Sequence, residues 1–195
     1  MKSLLSAVAV AAAIMVLSAS SASAIPITFI ANLNGANEVP AVSTPGTGLA
    51  TVFLDPTAQT LQVNATFSGL TSIDTAAHIH CCAPLGINAG VATTVPAFPG
   101  FPLGVTSGTY SSVVFDLTQS TIYNPAFVTL EGGLPQAEAA LIAGIEGGQT
   151  YFNIHTTAHP GGEIRGQLEP VPEPTSLLLL GSALLGFGLI WRRKT

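Results

Sequence analysis

Positive charge is scarce in this sequence. Five Lys and Arg stand against ten Asp and Glu in 195 residues. Four of the five, Lys2, Arg192, Arg193 and Lys194, lie at the two ends. Between Ile25 and Pro172 a single base, Arg165, therefore faces nine acids, a net −8 with neutral histidine. Phosphate binding needs clustered Lys and Arg, so nucleic acid is excluded as a partner. Anionic lipid and acidic polysaccharide are disfavoured unless a cation bridges them. Cysteine is equally scarce: there are two, Cys81 and Cys82, side by side. Adjacent cysteines cannot tie distant strands, so there is no disulfide framework. They can close a vicinal ring, pair between molecules, stay reduced or bind a soft metal. Paired catalytic carboxylates, a nucleophile elbow and a phosphate loop are also missing. The expectation is a protein that is not an enzyme.

Long apolar runs occur only at the two ends. Lys2, the apolar stretch Leu4–Leu17 and Ala22-Ser23-Ala24 follow the order of a secretory signal. Residues 1–24 are expected to be removed by signal peptidase after Ala24, leaving Ile25 as the first residue. At the other end Pro172-Glu173-Pro174 precedes the apolar run Ser176–Trp191, which Arg192-Arg193-Lys194 closes. As a helix this run is about 25 Å long, short for a bilayer core of about 30 Å but workable with Trp191 and the basic residues at one interface. The basic cluster predicts a cytoplasmic tail and an outward-facing domain. A plain single-pass anchor with a Pro-rich linker is the alternative at this end.

Residues 25–169 read as one domain, large enough for a single core. Alternation predicts strands over Ile27–Leu33, Gly48–Leu54, Leu61–Phe67, Ala76–His80 and Thr109–Leu117. The short loop from Leu54 to Leu61 predicts a hairpin. Asn64-Ala65-Thr66 has the form of a glycosylation sequon, read as chance inside a strand. Cys81–Gly104 reads as a long loop in which Pro96, Pro99 and Pro102 recur every third residue, a polyproline II period. Phe98 and Phe101 lie between them. They are expected to pack the loop on the sheet as a flap; the alternative is an aromatic binding ridge. Tyr123-Asn124-Pro125 reads as a turn, and Leu134–Ile145 as the one helix, with Pro135 in its first turn and Gly147-Gly148 as its stop. Many short strands with one helix predict an all-β sandwich.

All four histidines lie in two motifs, Ala77-His78-Ile79-His80 and Tyr151–Leu168, YFNIHTTAHPGGEIRGQL. The second reads strand, turn, strand, with His159-Pro160-Gly161-Gly162 as the turn. Residues two apart on a strand share a face, so His78 and His80 point together, away from Ile79, and His155 points away from Ile154. If the strands are neighbours, three imidazoles converge on one outer patch. Imidazole suits Cu and Zn. The candidate metal ligands are thus His78, His80 and His155, with His159, Cys81 and Cys82 as additional donors. The alternative is a framework role with no cofactor. Glu163 and Arg165 share a strand face, and an ion pair between them is expected. Arg165 could instead fix a buried carboxylate, with Glu38 as the candidate.

These motifs, together with Asn37-Glu38-Val39-Pro40, resemble a CHRD (chordin-type) domain over about Ile27–Leu168, and HPGGEIRGQL is the most specific part. The resemblance implies a Greek-key β-sandwich akin to Cu/Zn superoxide dismutases. Those enzymes also carry His-x-His on a barrel strand, but their further ligands have no match here. The C-terminal pattern resembles the PEP-CTERM sorting signal, in which Pro172, Glu173 and Pro174 would be recognised by an exosortase. Together the resemblances imply an exported, non-catalytic module, first anchored in the inner membrane on its periplasmic side. After processing it would lie at the cell surface or in the exopolysaccharide matrix. Its partners would be the processing enzymes and an envelope or matrix polysaccharide or protein. A surface Cu or Zn site, or a redox protein, is the alternative.

Overall fold

The computed structural model describes residues 25–172. The cleavage point at Ala24, Glu173, Pro174 and the apolar run 176–191 lie outside the described residues. No helix among the described residues is long and apolar enough to cross a membrane.

The chain builds a ten-stranded antiparallel sheet: β1 (Ile27–Asn34), β2 (Thr47–Asp55), β3 (Thr60–Ser68), β4 (Asp74–Cys81), β5 (Gly90–Val91), β6 (Gly108–Ser111), β7 (Phe115–Asp116), β8 (Thr150–Thr156), β9 (Ile164–Gln167) and β10 (Glu169–Pro170). Its main order is β5-β4-β8-β9-β1-β2-β3-β6, with β7 on β3 and β10 on β1. The short late strands β9 and β10 thus lie beside β1, and the chain crosses from β3 at one side to β4 at the other. Two helices, α1 (Pro125–Glu131) and α2 (Leu134–Glu146), precede β8. The fold is the all-β class read from the sequence.

Alternation explains the first three strands. Phe29, Ala31 and Leu33, then Ala50, Val52 and Leu54, then Leu61, Val63, Ala65 and Phe67 are buried, and the residues between them face outward. In register Leu54 sits opposite Leu61. The hairpin between them is closed by Asp55, whose Oδ1 accepts the N–H groups of Thr57 and Ala58 at 2.9 and 2.8 Å.

The sheet curls, and the long loop after β4 seals the curl. Phe98 stacks on Phe152 of β8 at 6.2 Å, and Phe101 stacks on Phe67 of β3 at 5.6 Å. The loop phenylalanines therefore join strands from the two ends of the sheet, and both are buried. This is the packed flap.

Three details differ from the sequence reading. Tyr123-Asn124-Pro125 opens a second helix: the Asn124 side chain caps Ala126 N–H at 3.0 Å, and Pro125 occupies the first turn, where a missing N–H costs nothing. The span Thr109–Leu117 is two short strands, because Ser112 turns inward and its Oγ accepts the N–H of Val63. Within the long loop, β5 pairs with β4 at His80 and Cys81.

Candidate functional site

β4 and β8 pair in the register His78 opposite Asn153 and His80 opposite Tyr151. One face of the pair carries Ile79, Phe152 and Ile154, all fully buried in the core. The other carries His78, His80, Tyr151, Asn153 and His155. An open patch was expected there. Instead the loop after β4 and the His159–Gly162 turn cover it, and His78, His80 and His155 are only 4, 7 and 8% exposed. Sequence periodicity reports which face a residue takes, not whether a loop folds over that face.

The three imidazoles form a compact triangle, with ring centroids 4.8 Å apart for His78–His80, 4.7 Å for His78–His155 and 5.7 Å for His80–His155. Each Nδ1 lies against a main-chain carbonyl: His78 on Pro96 at 3.1 Å, His80 on Ala89 at 2.9 Å and His155 on Pro160 at 3.0 Å. A carbonyl only accepts, so each Nδ1 carries its proton and donates. Each Nε2 is then the basic nitrogen. All three Nε2 atoms are buried without a hydrogen-bond partner. Burial, aided by the other two imidazoles, pushes His78 down to about 3. Burial likewise pushes His80 down to about 4, and it lowers His155. All three are neutral at ordinary pH.

A second polar layer adjoins them. The Tyr151 ring stacks on His80 at 4.6 Å, and the Arg165 guanidinium sits 4.5 Å from the centroid of that same Tyr151 ring. Arg165 is buried and donates from Nε to the carbonyl of Asn37 and from Nη1 to Oδ1 of Asn88, each at 2.6 Å. Beside it Glu38 is buried, and that burial pushes its carboxyl up to about 7 although Arg165 and Asn153 pull the other way. Gly162 has φ +125°, and a Cβ there would meet Asn153 Nδ2 at 2.6 Å and Glu38 Oε1 at 2.7 Å. The glycine is needed both for its backbone angle and for the close approach.

The remaining candidates go elsewhere. Glu163 and Arg165 do not pair. The Glu163 carboxylate accepts from Thr44, Thr71 and Thr156 at 2.6, 2.7 and 2.7 Å. Its burial pushes the carboxyl up, but these hydrogen bonds outweigh that and hold it below its ordinary value. Cys81 and Cys82 are disulfide-bonded to each other. Cys81 shares the face of Ile79, and both sulfurs pack on α2, where a Cβ on Gly144 would meet them at 2.5 and 2.8 Å. They are spent on each other and turned away from the imidazoles. His159 lies on the turn, outside the three-histidine group, and contributes main-chain hydrogen bonds there. The groups that sequence reasoning missed are the carbonyls of Ala89, Pro96 and Pro160. Main-chain acceptors have no residue signature, so no sequence signal marked them.

A different surface lies on the outer face of β1, β2, β3 and β6. Register aligns Asn32, Leu49, Thr66 and Thr109 in one row and Ile30, Thr51, Asn64 and Ser111 in the next. Neither row contains an ionisable side chain.

Two family models match the chain. The CHRD domain covers residues 29–168, and the PEP-CTERM protein-sorting motif covers residues 170–194. None of the curated proteins and none of the solved structures compared with the chain matches it. The chain belongs to the CHRD domain family, and its PEP-CTERM motif marks it as an exported protein, anchored in the membrane before an exosortase processes it.

Proposed function

We propose that the CHRD domain of this chain is a non-catalytic binding module that holds an uncharged polysaccharide of the cell envelope or exopolysaccharide matrix. The observation that carries the reading is the outer face of β1, β2, β3 and β6. In a domain of net −8 the two rows carry no charge across β1, β2, β3 and β6, and the one acid in register with them, Glu169 of β10, stands at their edge opposite Ile30. Its threonines, serine and asparagines offer hydroxyl and amide groups that both donate and accept, matching the hydroxyls of a sugar. Leu49, 42% exposed at the centre of a row, offers an apolar contact for a sugar ring. The imidazole cluster lies under cover, out of reach of a macromolecular substrate, which supports binding rather than catalysis. Export, implied by the PEP-CTERM motif, supports a ligand that lies outside the cytoplasm.

The test is native gel electrophoresis of the exported protein through gels containing dextran, galactomannan or a mixed β-glucan, with alginate as the acidic control. Retardation in at least one neutral gel but not in alginate is expected, and Thr66→Glu should abolish it while the melting temperature stays unchanged. Equal mobility in every gel, or retardation that survives Thr66→Glu, would sink the proposal.

A further inference from the structure

We propose that His78, His80 and His155 form a buried three-nitrogen site for a monovalent copper ion, bound through the three Nε2 atoms. Nothing in the polysaccharide reading requires this site, and it stands on separate geometry.

The first support is orientation. A histidine that ligates a metal through one nitrogen typically donates the other N–H to a carbonyl or carboxylate, which fixes the tautomer and aims the lone pair. All three rings do this, each to a carbonyl from a covering loop or turn: Pro96, Ala89 and Pro160. The second support is what each ring leaves over. Burying a polar nitrogen without a partner costs stability. Three such nitrogens meet in one place, sealed from solvent and sharing no proton donor. A core that needed only packing would carry leucine there. The third support is distance: one ring nitrogen from each of the three histidines lies within 4.8 Å of the others. Metal–nitrogen bonds of about 2.0 Å in a trigonal plane set the nitrogens about 3.5 Å apart, so a closure of roughly 1 Å completes the site.

The chemistry of the surroundings selects the ion. The donor set is three neutral imidazoles with no carboxylate among them. Arg165, stacked over Tyr151, adds a positive neighbour one ring away from His80. Desolvation cost grows with the square of the charge, so a divalent ion loses about four times what a monovalent ion loses on entering this pocket. Zn²⁺ also wants a fourth ligand to close its tetrahedron. Cu⁺ loses least on entering the pocket and needs no fourth donor, and imidazole nitrogen is a suitable ligand for copper. The sulfurs of Cys81 and Cys82 are bonded to each other on the opposite face, which leaves an all-nitrogen set.

The test uses the exported protein under anaerobic conditions, titrated with Cu⁺ against a chromophoric Cu⁺ chelator. One equivalent should be withdrawn from the chelator, and the melting temperature should rise. His78→Ala and His155→Gln should each weaken binding at least 100-fold. X-ray absorption of the wild-type copper form keeps the proposal exposed even where a variant fails to fold. It should give three nitrogen scatterers at about 2.0 Å and no sulfur. Sulfur in the first coordination sphere, a stoichiometry far from one, or uptake of Zn²⁺ with Cu⁺ left on the chelator would each overturn the proposal.

Discussion

The two faces of the β4–β8 pair are buried almost equally but have opposite chemistry. On one side Ile79, Phe152 and Ile154 are fully covered by Phe98, Phe101 and the rest of the apolar core. On the other His78, His80, Tyr151, Asn153 and His155 lie under a loop and a turn, with Arg165 and Glu38 beside them. The apolar face explains itself, because burial of that surface drives folding. The polar face opposes folding wherever a nitrogen or oxygen lacks a partner. Two faces of the same strands thus separate what holds the domain together from what the domain keeps at a cost.

The sharpest way to break the comparison is on the apolar side. Phe152→Ala should destabilise the domain by about 3–5 kcal/mol, the usual cost of truncating a buried aromatic side chain. Denaturant unfolding measures it. On the polar side Arg165→Leu is the corresponding deletion. It leaves the carbonyl of Asn37 and Oδ1 of Asn88 without their charged donor. A loss of about 2–3 kcal/mol is expected, less than for the phenylalanine. If the order were reversed, the polar layer would be the main source of stability, and the contrast between the faces would fail. Gly144→Ala is smaller again. Its Cβ would press on both sulfurs of the Cys81–Cys82 pair, an overpacking worth about 1–3 kcal/mol that thermal unfolding would detect.

The apolar face was legible in the sequence and the polar face only in part. Period-2 alternation fixed which side Ile79, Ile154 and the histidines take, because the pleat leaves no choice. The hairpin from Leu54 to Leu61 was legible from its short loop, and the flap from its two phenylalanines. Cover was not legible. Whether the face with His78 and His155 meets water depends on where residues 82–97 and 159–162 return, and that is set by contacts distant in sequence. The same holds for Glu163, whose partners Thr44 and Thr71 lie 119 and 92 residues away. The α1 helix was missed because Asn124-Pro125 is equally good chemistry for a turn and for a helix start.

The smallest predicted effect concerns Glu38, and it separates two opposed titrations on the polar face. The unfolded chain protonates its histidines near 6.5, whereas the folded chain resists until about 3 at His78 and about 4 at His80. The unfolded state therefore binds more protons in that window, so the histidine contribution is complete above about 6.5 and is lost as pH falls. Glu38 acts with the other sign. Its folded carboxyl keeps a proton up to about 7, while in the unfolded chain it ionises near 4.5. Its contribution is present below 4.5 and is lost as pH rises through about 7. Three histidines outweigh one carboxyl, so the melting temperature of the metal-free protein should climb from pH 4 to pH 6.5. In Glu38→Gln the opposing loss disappears, and the climb should be steeper and continue flat beyond pH 7. Melting curves of the two proteins at half-unit pH steps decide it. Parallel curves would show that Glu38 keeps its ordinary acidity and that Arg165, only one layer from the imidazoles, already holds it ionised.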